Sequence, residues 1–430
     1  MGLFNWLRRW LWGATGEASP GGKTAAGRHA SLRKKRHPRV RLAPLRRAAA
    51  DQSGQTRTGL QPEEIVASAP YRFARPCVTG GWLDLSRDGD PERLQQFGLP
   101  VFQTPQQLAD WLELSPGRLA WLVHRFEADQ QPVDQRHAHY HFRWLKKRSG
   151  GRRLIESPKP LLKQAQRQIL QQILNKIPAH HSAHGFVQGR SIKSHAAAHA
   201  GRRVIVTFDL ENFYATVGYA RVVAIFRGLG YCREAALWLA RLTTSDLPPS
   251  AIGWSVYAPD LEPYFRRHLP QGAPTSPALA NLSAFSLDLR LSGLARTFHA
   301  SYTRYADDLT FSGDEQFLRS LRIFIPLVEK IAKNERFLTN RAKRKVVRDH
   351  QRQQVTGVVV NERPNVSRRD YDRLRAILTN CQRRGPSTQN HERRPDFAAH
   401  LRGAIAHVAF LNPTRGARLL ELFHQIDWNR

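Results

Sequence analysis

The sequence predicts an α+β fold in which short strand pairs alternate with helices, and three observations carry that prediction. Runs rich in β-branched and aromatic residues flank tight Gly or acidic turns in YHFRWLKKRSGGRRLIESP and SYTRYADDLTFSG. Segments with apolar residues at helical spacing separate them, PLLKQAQRQILQQILNKI being the clearest. A hydrophobic fraction of 41% with 9% aromatic residues is enough for a packed core, which excludes a wholly disordered basic tail protein.

The elements follow in chain order. MGLFNWLRRWLWG is apolar for only a few residues before Arg8 and Arg9, too short to span a membrane and without the order of a signal peptide, so no export is expected. Phe4, Trp6, Leu7, Trp10 and Leu11 cluster against a basic face, as in a short amphipathic helix that docks on the protein or on RNA rather than on a membrane. Residues 1–57 hold 13 Lys or Arg against Glu17 and Asp51, a net +11, with Gly, Ser, Pro and Ala between them. Such a composition buries little and predicts a flexible arm that contacts phosphates. From about Tyr71 the composition turns globular, and LPVFQTPQQLADWLELSPGRLAWLVHRFE predicts two helices with Thr104 and Ser115 as N-caps and Pro105 and Pro116 at the first helical positions. A hairpin around Ser149-Gly150-Gly151 comes next, then the helix beginning at Pro160, then a buried strand from Val204 to Phe208 that closes on Asp209. After Val355 the segment TGVVVN predicts a strand, and a helical tail runs from Ser367 to the end.

Charge narrows the partners. With 67 Lys plus Arg against 35 Asp plus Glu, the chain carries +32 at neutral pH, which repels itself in a compact fold unless a polyanion lies alongside. Nucleic acid is the first partner to expect and an anionic membrane the second. Cys77, Cys232 and Cys381 stand far apart with no CxxC pair, against a disulfide framework or a zinc ribbon and in keeping with a reducing cytoplasm. His137, His139 and His141 alternate, and His180, His181 and His184 cluster, but neither group has a cysteine nearby or the full ligand pattern of a zinc site, so RNA contacts or plain surface are expected. Trp121, Trp144 and Trp238 are expected in the core.

Against that basic background, Asp209 ends an apolar strand, and Asp307 and Asp308 sit together between two β-forming runs. Burying acids at strand ends is unfavourable unless a cation neutralises them. Hard, oxygen-preferring Mg²⁺ suits carboxylates plus phosphates. Two such ions, about 3.5–4 Å apart, stabilise the attacking and leaving oxygens of phosphoryl transfer. An Asp-Asp dipeptide alone is an ordinary acidic turn; its weight comes from its surroundings.

Those surroundings form an ordered set. Phe208-Asp209-Leu210-Glu211-Asn212-Phe213-Tyr214 resembles motif A of reverse transcriptases, Leu269-Pro270-Gln271-Gly272-Ala273-Pro274-Thr275-Ser276-Pro277 resembles motif B, and Tyr305-Ala306-Asp307-Asp308 is similar to the YxDD of motif C. They stand in the family's order, with Asp307 98 positions after Asp209. The resemblance covers roughly residues 95 to 430. It narrows to bacterial retron reverse transcriptases on HGFVQGRSIKSHAAAHAGRRV, Val355-Thr356-Gly357 and LRGAIAHVAFLNP. Where that group carries an NAxxH box this chain has His195-Ala196-Ala197-Ala198-His199, with His in place of Asn.

The resemblance implies a right-hand polymerase fold: a basic arm (1–57), an N-terminal helical module (58–135), fingers and the region before motif A (136–208), a palm (209–365) and a helical thumb (366–430). It implies that Asp209 and Asp307 bind both Mg²⁺ ions, with the Leu210 carbonyl as a further ligand and Asp308 as the more peripheral metal-site acid. Tyr214, at a position where retron enzymes more often have Phe, is the bulky aromatic that collides with a ribose 2′-OH and so favours a DNA product. Gln271 would lie against the incoming nucleotide and the template, with Gly272 permitting close backbone approach. Lys146, Lys147, Arg152 and Arg153 resemble the fingers positions that grip the triphosphate, and the guanidinium fork makes Arg153 the first choice. Lys343, with Lys345 as rival, falls where motif D supplies a lysine near the leaving pyrophosphate. His195, His199, Val355, Thr356 and Gly357 are expected to contact RNA or primer, and Arg368, Arg369, Arg373, Arg375, Arg383 and Arg384 to clamp the duplex by phosphate and shape.

The implied activity is RNA-directed DNA synthesis from dNTPs. In a retron the enzyme recognises a structured RNA encoded beside it, of the msr-msd type, primes from a guanosine 2′-OH, and makes the branched RNA–DNA hybrid called msDNA, in anti-phage defence with an effector protein. No RNase H segment is visible, which leaves template removal to a host RNase H. The alternatives are another bacterial reverse transcriptase, group II intron-like or otherwise defence-associated, though maturase and endonuclease portions are missing, and a non-catalytic RNA-binding scaffold, against which the intact acids argue.

Overall fold

The computed structural model describes residues 88–123, 139–147, 150–248 and 261–428. The expected basic arm, the first part of the expected helical module, Cys77, His137 and Ser149 lie outside the described residues. Three short helices come first, α1 (Pro91–Gln96), α2 (Pro105–Trp111) and α3 (Pro116–Val123). The Thr104 side chain accepts from the Gln107 amide and the Gln107 side chain returns the bond to the Thr104 backbone, the reciprocal cap that Thr-Pro-Gln-Gln encodes. Ser115 accepts from the Arg118 amide at 3.3 Å at the start of α3, a one-way cap. Leu94, Leu108, Ala120 and Leu122 of these helices join the main hydrophobic core, so this segment packs into the body instead of standing apart.

Strands β1 (Tyr140–Lys146) and β2 (Arg152–Pro158) pair antiparallel, with Lys146 opposite Arg152. Helices α4 (Pro160–Gln172) and α5 (Ile192–Ala197) lead to β3 (Val204–Asp209). Then come α6 (Tyr219–Gly228), α7 (Arg233–Thr243), α8 (Ser276–Ser283) and α9 (Phe285–Thr297). Strands β4 (Ser301–Tyr305) and β5 (Asp308–Gly313), helix α10 (Glu315–Asn334) and β6 (Lys345–Arg348) complete the central unit. A small hairpin, β7 (Gln354–Val355) and β8 (Val358–Val359), precedes α11 (Arg368–Arg384), α12 (Phe397–Leu411) and α13 (Pro413–His424).

The central sheet has the order β4-β5-β3-β6, antiparallel throughout. Its period of two sorts the faces. Val204, Val206 and Phe208 point into the main core with Leu309, Phe311 and Tyr302, whereas Ile205 joins a second core. That second core holds Val355, Val358 and Val360 together with Leu374, Leu378, Leu401, Ile405 and Leu419, so hairpin β7–β8 is packed with the C-terminal helices. The boundary expected at 365/366 therefore passes through one packed unit, and the one at 208/209 cuts the end of β3. Trp238 is buried in the core as expected, and Trp121 is half-buried against it. Among the described residues no helix is long and apolar enough to cross a membrane.

One buried charge fixes the sheet to its helices. Arg304 on β4 and Asp288 on α9 are both 0% exposed, and Arg304 donates to the two Asp288 oxygens at 2.8 and 2.7 Å. Tyr302 adds its hydroxyl to Asp288 at 2.7 Å, and Asn281 of α8 accepts from Arg304 at 2.9 Å. Removing one member strands a buried charge. Arg304→Met should therefore lower the unfolding free energy by about 3–5 kcal/mol in urea denaturation, and adding Asp288→Leu should recover part of that loss.

Candidate active site

The β4–β5 connection reverses over Ala306 and Asp307, with Ala306 at φ 54° in the left-handed region. Three contacts hold this non-glycine turn. Arg304 donates to the Ala306 carbonyl at 3.0 Å, the Leu210 amide donates to the Asp307 carbonyl at 2.9 Å, and Gly185 lies directly beneath. A Cβ on Gly185 would come within 2.7 Å of the Ala306 nitrogen, so only glycine allows the HGF segment to pass there. Asn281 links the two sides, donating to the Gly185 carbonyl at 2.9 Å while it accepts from Arg304.

This arrangement brings the three acids together at one end of the sheet. Asp209 and Asp308 are direct Cα partners across β3 and β5, and Asp307 occupies the adjoining turn beside Leu210. Like charges in facing positions repel, and the pKa values record it. Burial, then the Asp209 charge, raises the Asp307 pKa. Burial, then Asp307 and Asp209, pushes Asp308 up to about 7. The Lys343 ammonium sits 2.9 Å from each oxygen of Asp209. Its 3-10 turn, Arg341–Lys343, is anchored by Asn340, whose amide donates to the Asp209 carbonyl at 2.8 Å.

The set suits a hard divalent cation. All its donors are oxygens, two carboxylates are held above their ordinary range by burial and mutual repulsion, and no donor among the described residues takes the Leu210 carbonyl. Among the described residues no three His, Cys, Asp or Glu side chains already converge as a finished metal cage. Asp209, Asp307, Asp308 and the Leu210 carbonyl are the groups that could hold such an ion.

The remaining expected residues fall around these acids or behind them. Arg153, half-buried on β2, exerts its positive charge on both Tyr214 and Asp307. The Tyr214 ring packs at a 60° tilt against Phe213, 5.5 Å between centroids, and burial followed by the Asp307 charge raises its phenol pKa. The Gln271 carbonyl accepts from the Glu156 amide at 2.9 Å, and Gly272, at φ 135°, lies so close that a Cβ would meet the Glu156 carbonyl at 2.9 Å. The close approach expected of Gly272 is thus to the β1–β2 hairpin. Lys345, the rival to Lys343, is exposed on β6 opposite Thr207.

His195 and His199, expected at the RNA or primer, are 0% exposed. His199 bonds Ser312 and Thr303 at 2.7 Å each, and His195 reaches Thr356 at 3.3 Å while packing 5.7 Å from the Tyr305 ring. They brace the small polar face of the sheet. Burial, before the neighbouring His184, lowers the His199 pKa to about 3, so it stays neutral. Val355 is likewise 0% exposed, whereas Thr356 at φ 46° and Gly357 at φ 84° form the tip of β7–β8, with Gly357 exposed. Sequence reasoning missed Arg304, Asn281 and Asp288, and quoted Gly185 without a role. Gly185→Ala should shift the YADD turn and lower nucleotide incorporation by about 100-fold, the scale of a 1 Å misplacement, measured as kcat beside a thermal melt.

A family model described as reverse transcriptase (RNA-dependent DNA polymerase) matches residues 145–360. The retron Mx65 reverse transcriptase of Myxococcus xanthus is 41% identical over 332 residues, 77% of this chain and 73% of the relative. The retron Mx162 reverse transcriptase of the same organism is 34% identical over 78% of this chain and 70% of its own length. The retron Ec86 reverse transcriptase of Escherichia coli is 29% identical over 78% and 93%. The matched segment contains the acids, Arg153, Gln271 and Lys343. Motif order, acid geometry and kinship converge, and the chain belongs to the retron reverse transcriptases, RNA-dependent DNA polymerases.

Proposed function

We propose that this polymerase copies a structured msr-msd-type RNA into msDNA, beginning at a 2′-OH of that RNA, in a retron that serves anti-phage defence with an effector protein. The observation that carries the chemistry is the convergence of Asp209, Asp307 and Asp308 at one sheet end, with Arg153 and Lys343 as the nearby cations. Kinship with retron enzymes supports the msDNA product and the defence setting.

Asp209 and Asp307, with the Leu210 carbonyl, would hold two Mg²⁺ ions, and Asp308 would act from the periphery. When bound, the ions supply positive charge for the attacking and leaving oxygens. The chain's own groups do the rest. Arg153 takes the triphosphate by its guanidinium fork. Tyr214 fills the space a ribose 2′-OH would need. Gln271 borders the nucleotide and template. A primer hydroxyl attacks the α-phosphate, the new phosphodiester forms, and pyrophosphate leaves beside the Lys343 ammonium. The tip of β7–β8 supports the primer, and α11 clamps the duplex through its arginines, reading phosphate and shape.

Cells carrying the gene with its flanking DNA should yield a small, multicopy single-stranded DNA joined to RNA, absent for Asp307→Asn. Its absence from wild-type cells would overturn the msDNA reading. Tyr214→Ala should accept ribonucleotides better, with discrimination measured as the ratio of kcat/KM values falling by at least about tenfold; unchanged discrimination would remove Tyr214 from that role.

A further inference from the structure

One buried pair has no part in the chemistry above. Glu156 on β2 and His268, just before the Gln271 loop, are 0% and 1% exposed, with Glu156 Oε2 2.9 Å from His268 Nε2. The other ring nitrogen, Nδ1, lies 2.7 Å from the Arg266 carbonyl oxygen. Acceptors therefore face both nitrogens. A neutral imidazole has one N–H and satisfies only one of them. Both ring nitrogens are satisfied only with one proton more than a neutral ring and a carboxylate carry, as an imidazolium–carboxylate bond, while Glu156 Oε1 is buried with no hydrogen-bond partner among the described residues.

The pair sits where two parts of the chain meet. The Glu156 amide donates to the Gln271 carbonyl at 2.9 Å, and His268 exchanges backbone hydrogen bonds with Ser245 at 2.9 and 3.0 Å. Tyr264 stands edge-on to His268 at 5.1 Å and to Trp144 of β1 at 5.6 Å, and its hydroxyl accepts from the Leu154 amide at 3.4 Å. Among the described residues the other titratable neighbours are Asp246, which is paired with Arg267 at 2.5 Å, and Tyr140 on β1, whose ionisation is opposed by burial and by Glu156. Burial disfavours the imidazolium, but the hydrogen bond and charge of Glu156 outweigh it and raise the His268 pKa.

We propose that Glu156 and His268 are positioning residues, a proton-held clasp that fixes the β1–β2 hairpin, and with it Arg153, against the Gln271 loop, so that dNTP affinity depends on pH. This deepens the polymerase reading and rests on it. The sign follows from the geometry. A histidine whose folded-state pKa is raised contributes its stabilisation below the ordinary imidazole value and loses it as pH rises through the folded-state value. The hairpin loosens on the alkaline side, and the KM for dNTP rises there.

Glu156→Gln separates the proton from the contact. The Gln amide donates to Nε2 of a neutral ring while Nδ1–H still donates to Arg266, so the clasp closes without the extra proton. Steady-state kinetics of the full chain across roughly pH 6 to 9 should show wild-type KM for dNTP rising about tenfold, whereas Glu156→Gln stays flat within about twofold. His268→Phe, which removes the contact, should hold KM high at every pH, with a kcat profile parallel to that of wild type. Amide hydrogen exchange of residues 140–158, compared with Glu156→Gln at matched pH, gives a readout independent of catalysis: wild-type protection should fall relative to the variant as pH rises. A KM that climbs equally in wild type and Glu156→Gln, or exchange that stays matched, overturns the clasp and leaves the polymerase reading standing. Exchange that behaves as stated in a chain that incorporates no dNTP supports the clasp and overturns the polymerase reading.

Discussion

A guanidinium with no access to water holds the site in place. Arg304 is enclosed between α9, α8 and the YADD turn, and its donors go to Asp288, Asn281 and the Ala306 carbonyl, with the Phe213 ring 5.6 Å away. Such a charge is tolerable in the interior only with its partners present. The dependence runs outward from there. Ala306 has a left-handed backbone, with Arg304 bonded to its carbonyl and Gly185 close against its nitrogen, and Asp307 and Asp308 take their positions from that turn. The acids are thus set by packed, buried elements, while Arg153 and Lys343 reach them from the partly exposed β1–β2 hairpin and from a short 3-10 turn.

The electrostatics divide in the same way. A chain of +32 concentrates three carboxylates at one sheet end, and burial and repulsion hold two of them above their usual range. That cluster calls for cations, and the basic surroundings call for phosphate. In the proposed reaction both needs are met at once, by metal ions and by the triphosphate with its duplex. The histidines behind the sheet remain neutral, which adds no positive charge beneath the acids.

Much of this was legible in the chain itself. The Thr104 and Ser115 caps, both long hairpins and the strand ending at Asp209 follow from local patterns, since each depends on residues a few positions apart. What was not legible is paired over distance. Glu156 meets His268 across 112 positions and His195 meets Thr356 across 161. Nothing local separates the buried Arg304 of SYTRY from the exposed basic residues that fill the sequence, because both sides of β4 are covered and no alternation marks it. The burial of His199 in HAAAH was hidden for the related reason that a polar ring reads as surface until the Ser312 and Thr303 hydroxyls that satisfy it are seen. The shared core of β7–β8 and the helices that follow it is likewise assembled over distance, and no local pattern marks it.

The most direct measurement of the central claim, that Asp209, Asp307 and Asp308 form one nucleotidyl-transfer site, is primer extension on an RNA template with dNTPs and Mg²⁺. Wild type is compared with Asp307→Asn plus Asp308→Asn, and RNA binding is measured in parallel. The account predicts DNA synthesis by wild type and its loss in the variant, with RNA binding retained. Wild type that incorporates no dNTP on any primed RNA, or a variant that extends as well as wild type, would contradict it.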